Sequence, residues 1–251
     1  MTSNIESGPL RVGVVGSGRL GTALSASLRA AGVEVDGPVG RGEVPDGDAI
    51  VLCVPDGEIA AAAATAAGKA RFVGHTSGAT PLSALAAARA ERFGVHPLQT
   101  FAEGAGPDQF RGAGCAVAGS TPQALALAAS LAKTLGMEPF EIDDAGRSAY
   151  HAAASIASNF LVTLQHAAEQ VAEAAGLQPA EARALLAPLV QQTVRNWAAL
   201  GPERALTGPV VRGDEATVEG QRKAVAEAAP HLVSLFDELA ERTRDLARVP
   251  A

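Results

Sequence analysis

Three polar side chains recur every four residues in the stretch "YHAAASIASNF": His151, Ser155 and Asn159. On a helix a four-residue step returns to nearly the same face, so the spacing predicts one polar stripe among alanines. An imidazole, with an ordinary pKa of about 6.5, can give or take a proton near neutral pH. A hydroxyl and a carboxamide beside it can hold a carbonyl, an imine or a carboxylate by hydrogen bonds. Two more histidines follow short apolar runs. "HTSGAT" contributes His75, Thr76 and Ser77, and "HPLQTF" contributes His96 and Gln99. The candidate catalytic set is therefore His151, Ser155, Asn159 and His96, with either histidine as the proton donor. His75, Ser77 and Gln99 are candidates for substrate contact. The alternative for the stripe side chains is a structural role, bonding nearby backbone or packing in a dimer interface. No H-x-x-x-H pair or interleaved carboxylate is present, so no metal is expected. His166 and His231, set among alanines or near a helix start, read as structural or surface groups.

A second chemistry-bearing segment is "GSGRLG", which spaces Gly16, Gly18 and Gly21 as G-x-G-x-x-G. It ends a β-branched run and opens a helical pattern, the context a dinucleotide-binding turn requires. Gly16 would make the tight turn, Gly18 would let the backbone approach a pyrophosphate, and Gly21 would let the helix pack on the strand. The cradle is then the Ser17–Leu20 backbone at a helix N-terminus, with Arg19 within reach of phosphate. Val54, Pro55 and Asp56, and also Thr76 and Ser77, follow later strands and are expected to border the cofactor. NAD sites carry an acidic residue at the end of the second strand. Asp36 has about that spacing but sits in mid-strand, before "GPV". The strand is predicted to end at Val39, followed by Gly40 and Arg41. An arginine there suits a 2′-phosphate, so NADP is favoured over NAD, with Arg41 also readable as a solvated loop residue.

These groups need a scaffold that brings strand ends together. From Leu10 to about Ile142 the pattern alternates short apolar runs with alanine-rich helical stretches, predicting a doubly wound, mainly parallel sheet. "DAIVLCVP" is apolar throughout, as a central parallel strand should be. Helices are predicted over "DGEIAAAAATAAGKA" and "PLSALAAARAE", and over "TPQALALAASLAKTLG" with Thr121 as its cap and Pro122 at its first position. Beyond Ile142 strand signals stop. One helix of about thirty residues is predicted from Asp143 to Gly176, a second kinked at Pro188, and two more after it. The chain thus divides into a disordered tail (1–9), a dinucleotide-binding Rossmann domain (10–142) and an all-α domain (143–251). "TGPVVRGD", Thr207 to Asp214, joins two of those helices. There Arg212 could clamp a substrate carboxylate and Asp214 could cap the next helix.

The 251 residues are 47% hydrophobic and 19% charged, enough apolar content for a packed core. A net charge of −7 argues against a nucleic-acid or membrane-surface binder. Aromatics at 4% argue against base-stacking platforms. Cys53 and Cys115 form no framework, which fits a reducing, cytoplasmic setting. No signal peptide is recognised and no apolar run is long enough for a membrane span.

"HTSGA", "HPLQTF", "YHAAASIASNF" and "LTGPVVRGD" together resemble the family of Rossmann-like proteins with a DUF2520 C-terminal domain, over about residues 10 to 245. More broadly, a dinucleotide turn followed by a helical domain resembles the 6-phosphogluconate dehydrogenase-like superfamily. That group includes β-hydroxyacid dehydrogenases, ketopantoate reductase and pyrroline-5-carboxylate reductase. The resemblance implies hydride transfer with a nicotinamide cofactor, and a homodimer formed through the helical domain. In the hydroxyacid and ketopantoate enzymes the first long helix of that domain presents a lysine and, a turn later, an asparagine. Here the matching stripe begins with His151 and has no lysine, a departure from the pattern.

The expected protein is an NADP-dependent oxidoreductase acting on a small carbonyl, hydroxy or imino acid. The alternative is a non-catalytic NADP(H)-binding sensor or assembly protein. A deazaflavin, used by some relatives, is the other possible electron carrier.

Overall fold

The structure is a computed structural model that describes residues 10–104 and 106–248. The tail expected at residues 1–9 lies outside the described residues. Seven strands form one sheet in the order β2-β1-β3-β4-β5-β6-β7. They are β1 (Arg11–Val15), β2 (Glu34–Val39), β3 (Ala49–Leu52), β4 (Phe72–His75), β5 (Glu91–Pro97), β6 (Gly114–Gly119) and β7 (Glu138–Glu141). All neighbouring pairs are parallel except β5 with β6. That exception follows from the connection. Among the described residues between 98 and 113 there is only a short 3₁₀ turn, Pro107–Phe110, and no crossover helix. A parallel neighbour needs a full crossover, whereas an antiparallel one does not.

The central strands bury both faces. Along β1 and β3, Val12, Val14 and Val51 pack on one side with Leu24, Leu28 and Phe93. Val15, Ile50 and Leu52 point the other way, onto Ile59, Val73 and Leu85. The two-residue period of a strand divides these continuous apolar runs between two cores. Gly74 in β4 makes room for one of them. A Cβ there would stand 2.4–2.5 Å from the Phe93 ring.

The helices of this region are α1 (Arg19–Ala30), α2 (Ile59–Thr65), α3 (Pro122–Thr134) and α4 (Arg147–Ser155). The Thr121 hydroxyl caps α3, accepting from the Ala124 N–H at 3.1 Å. Two predicted helices come out shorter. The stretch after β3 begins as a 3₁₀ turn, Asp56–Glu58, before α2. "PLSALAAARAE" forms a 3₁₀ helix, Leu82–Ala88, closed by Arg89 in the left-handed region (φ 55°). Propensity did favour α-helix there. A short link between adjacent parallel strands instead settles into the tighter i→i+3 geometry.

The thirty-residue helix expected from Asp143 is also divided. It starts at Arg147, runs as α4 to Ser155, turns through a π-helical segment Ile156–Phe160, and continues as α5 (Leu161–Glu173). Asp143 caps the entry instead, its Oδ1 accepting from the Gly146 N–H at 2.7 Å. The chain forms two compact units, 1–158 and 159–251. Strand signals end near residue 142, yet the first unit extends through α4, because Arg147 is buried there and Tyr150 bonds to β5.

The second unit holds α5, α6 (Pro179–Leu200), α7 (Pro202–Ala205), α8 (Glu215–Ala228) and α9 (Val233–Ala247). Pro188 lies inside α6, which stays helical from end to end. Bidentate ion pairs tie these helices: Arg183 to Glu169, Arg222 to Asp237, and Arg244 to Glu215. Asp214 caps α8 through the Thr217 N–H at 3.1 Å. Among the described residues no helix is long and apolar enough to cross a membrane.

Candidate functional site

The glycine turn is shaped by contacts that a side chain would destroy. Gly16 follows β1 with φ +105°, and its N–H donates to the Val39 carbonyl at 2.9 Å. A Cβ on Gly16 would lie 2.2 Å from the Cys53 carbonyl oxygen, and one on Gly21 only 1.8 Å from the Gly16 oxygen. Backbone therefore packs on backbone, and α1 starts directly against the strand end. Gly18, the N-cap of α1, has nothing within 4 Å of its Cβ position, and no side chain caps the helix. The open N–H groups and the positive end of the helix are left for an anion.

This turn opens on a cavity of about 390 Å³. Gly16, Ser17 and Gly18 form one wall, Val54 and Pro55 another, and Arg41 and Glu58 stand within the lining. The Arg41 guanidinium is ion-paired with Glu58. Asp36 is turned to other work: its Oδ2 accepts from the Asp46 N–H at 2.8 Å, and it does not line the cavity. A glycine cradle, an exposed helix N-terminus and a cavity at the carboxyl ends of β1 and β3 fit a dinucleotide with its pyrophosphate on Ser17 and Gly18. Arg19, Leu20 and Gly21 form the first turn of α1, outside the lining. Asp56, Thr76 and Ser77 do not line it either.

A second cluster lies at the ends of β4 and β5. The register aligns Leu52 with His75 and His75 with Gly94, and His96 follows two residues after Gly94 on the same face. The His96 Nδ1 lies 2.7 Å from the Tyr150 hydroxyl, and the two rings meet edge-on. His151 stands on the other side, its ring centroid 6.1 Å from that of His96. Gly78 fits between them. A Cβ there would meet the His96 ring at 2.8 and 2.9 Å and the His151 ring at 3.0 Å.

Burial sets the charge state of this group. It holds the His96 pKa down at about 4, helped by repulsion from His151 and Arg147. His75, fully buried, is likewise held at about 4, first by burial and then by Arg147. The Ser77 N–H donates to its Nδ1 at 3.2 Å, which puts the ring proton on Nε2, an atom without a hydrogen-bond partner among the described residues. Burial also pushes the Tyr150 phenol up to about 12, opposed by the attraction of Arg147. Arg147 itself is 4% exposed and pairs with Asp144 at 2.7 Å. The site at neutral pH is therefore a neutral His96, a neutral His75 and a protonated phenol around one buried cation.

The structure thus brings His75, His96 and His151 together within the first unit. The Ser77 hydroxyl is taken up by its own turn, accepting from the Ala79 and Thr80 N–H groups. Gln99 is exposed, donating to the Gln109 carbonyl and accepting from the Thr100 N–H. Ser155 ends α4. Asn159 falls in the π-helical segment, where four residues no longer complete a turn, so the regular stripe stops at Ser155. Asn159 and Arg212 belong to the second unit. So do His166 and His231, each within reach of the Gln170 carboxamide. Tyr150 and Arg147 had no place in the sequence reading. A signal existed, because the four-residue step runs back from Ser155 and His151 to Arg147. Among the described residues no three metal-binding side chains are grouped to hold an ion.

A family model described as "Domain of unknown function (DUF2520)" matches residues 113–243. The chain belongs to the DUF2520 family. A search of curated proteins gave no match. Among solved structures, a Thermotoga maritima protein is similar with TM-score 0.81 and 24% identity, over 95% of this chain and 100% of that one. A Bacteroides fragilis protein described as a candidate NADP oxidoreductase has TM-score 0.79 and 21% identity, over 94% of this chain and 98% of its own. Plasmodium falciparum pyrroline carboxylate reductase with NADP bound has TM-score 0.61 and 12% identity, over 95% and 98%. This DUF2520 chain therefore shares the fold of Rossmann-type NADP oxidoreductases.

Proposed function

We propose that this protein is an NADP-dependent oxidoreductase acting on a small carbonyl, hydroxy or imino acid. The observation that carries this reading is a single compact unit that holds both a glycine cradle opening on a cavity and a His96–Tyr150 pair at nearby strand ends. The bound nicotinamide cofactor supplies or takes up a hydride. Everything else falls to the chain. The Ser17 and Gly18 backbone and the N-terminus of α1 hold the pyrophosphate, and Arg41 takes the 2′-phosphate. His96, neutral at physiological pH, is not a stored imidazolium acid. It works as a relay: Nε2 gives its proton to the substrate oxygen or nitrogen while Nδ1 takes the phenolic proton of Tyr150. The phenolate so formed is favoured by the Arg147 cation. Oxidation runs the same proton path backwards. His151, against the other side of Gly78, bounds the substrate. The likeness to NADP-bound reductases supports the choice of cofactor.

We also infer a homodimer formed through the second unit. Val162 on α5, and Leu185, Leu189 and Trp197 on α6, are all more than half exposed, more apolar surface than a lone helical unit leaves in water.

The reading is tested by titrating the purified protein with NADPH and NADH, then following NADPH consumption over a panel of 2-keto acids, aldehydes and cyclic imino acids. Saturable NADPH binding with turnover of at least one substrate is the expected result. Absence of binding by either cofactor would sink it.

A further inference from the structure

The arginine assigned to the 2′-phosphate already has a partner. Arg41 sits in "Gly40-Arg41-Gly42", a loop whose second glycine has φ +83°. Among the described residues its ion pair is with Glu58. The Glu58 side is fixed by the fold: its N–H donates to the Pro55 carbonyl at 2.8 Å, and the next residue, Ile59, is fully buried at the start of α2. The Glu58 backbone is thus fixed at the wall, and its carboxylate meets the guanidinium from there. The charged groups lining the cavity are Arg41, Glu43 and Glu58, one cation against two carboxylates. That balance is unusual for a site receiving a phosphate dianion. A ribose hydroxyl, by contrast, can donate to either carboxylate.

We infer that Glu58 is the specificity-determining residue of this cavity: it competes with the 2′-phosphate for Arg41 and so limits the preference for NADP(H) over NAD(H). The inference rests on the dinucleotide reading above. The physical sense is direct. An exposed ion pair is weak and exchanges its partner readily, so Arg41 remains available to phosphate. The displaced carboxylate then stays beside the phosphate as a like charge, and that repulsion is absent for the hydroxyl of NADH.

The test measures dissociation constants by calorimetry for NADPH, NADH and 2′,5′-ADP, the last carrying the 2′-phosphate without a nicotinamide. E58Q keeps the length and hydrogen bonding of the side chain and removes its charge. It is expected to tighten NADPH and 2′,5′-ADP about tenfold, the effect of deleting one charge beside a dianion near a protein surface, and to leave NADH within about twofold. E58D, which retains the charge, is expected to keep the wild-type ratio, an outcome a purely structural role would not produce. Parallel shifts for NADPH and NADH, an unchanged ratio, or weaker 2′,5′-ADP binding in E58Q would each overturn the inference. If the wild-type protein binds none of the three probes, the dinucleotide reading fails and takes the inference with it. If it binds them and the ratio does not move, only the inference fails.

Discussion

His96 Nδ1 lies 2.7 Å from the hydroxyl of Tyr150, 54 positions later in the chain. One residue lies near the end of β5 and the other on the first helix after the last strand. Their meeting gives a partly buried, neutral imidazole a proton source that does not depend on its own ionisation, and the relay proposed above rests on that contact.

Tyr150→Phe removes the proton and keeps the ring. We expect kcat to fall about 100-fold, the usual contribution of one general acid, with the NADPH dissociation constant unchanged. Stopped-flow turnover and fluorescence titration check both. Full activity in the variant would remove Tyr150 from the mechanism.

Acid should unfold this protein through His75 and His96. The folded pKa values of His75 and His96 lie near 4, below the ordinary value of about 6.5. Between those limits the unfolded chain binds protons that the folded imidazoles refuse, so stability falls as pH drops from about 6.5 to 4. The loss approaches roughly 3 kcal/mol per histidine. Urea melts at pH 7 and pH 4.5 measure it, and His96→Gln should flatten the slope by about half. A slope that His96→Gln leaves untouched would contradict the assignment.

The two glycines of the cradle should fail differently. Gly18→Ala meets open space at a φ of −72°, so the melting temperature should stay within about 2 °C while NADPH affinity drops at least tenfold. Gly21→Ala drives a methyl into the Gly16 carbonyl and should destabilise by about 2 kcal/mol or more. Scanning calorimetry beside cofactor titration distinguishes the two.

Gly78→Ala should disturb catalysis without touching the cofactor cavity. Its methyl would press on the His96 and His151 rings, and either the rings or the turn must move. A changed chemical shift for both imidazoles, with NADPH affinity retained, is the expected signature. Unmoved resonances would show that Gly78 does not set the spacing of the pair.

In light scattering the wild-type protein should have twice the mass of its chain. Leu189→Asp places a charge on the exposed apolar side of α6 and should yield a folded monomer. A wild-type monomer would refute the dimer proposal.

Local sequence suffices where a single turn decides the outcome. "GSGRLG" makes its own bend, because the steric demands that select glycine act between Gly16, Gly21 and the adjoining strand. Val39 ends β2, and Thr121 caps α3, for equally local reasons. The 3₁₀ segment at Leu82–Ala88 and the π-helical segment at Ile156–Phe160 escaped, since composition favours helix without choosing its pitch.

The sequence by itself determined the elements, their alternation, and which residue types could do proton chemistry, because propensity, apolar period and turn sterics act over a few residues. The partners were decided by tertiary structure alone. His96 meets Tyr150, Arg41 meets Glu58, and Asp36 turns to Asp46, because strand register and loop closure set which distant side chains come within 3 Å. Burial, which exists only once the chain has folded, then chose their charge states. Hydrogen bonds and desolvation act over a few ångströms of space, whatever the distance along the chain.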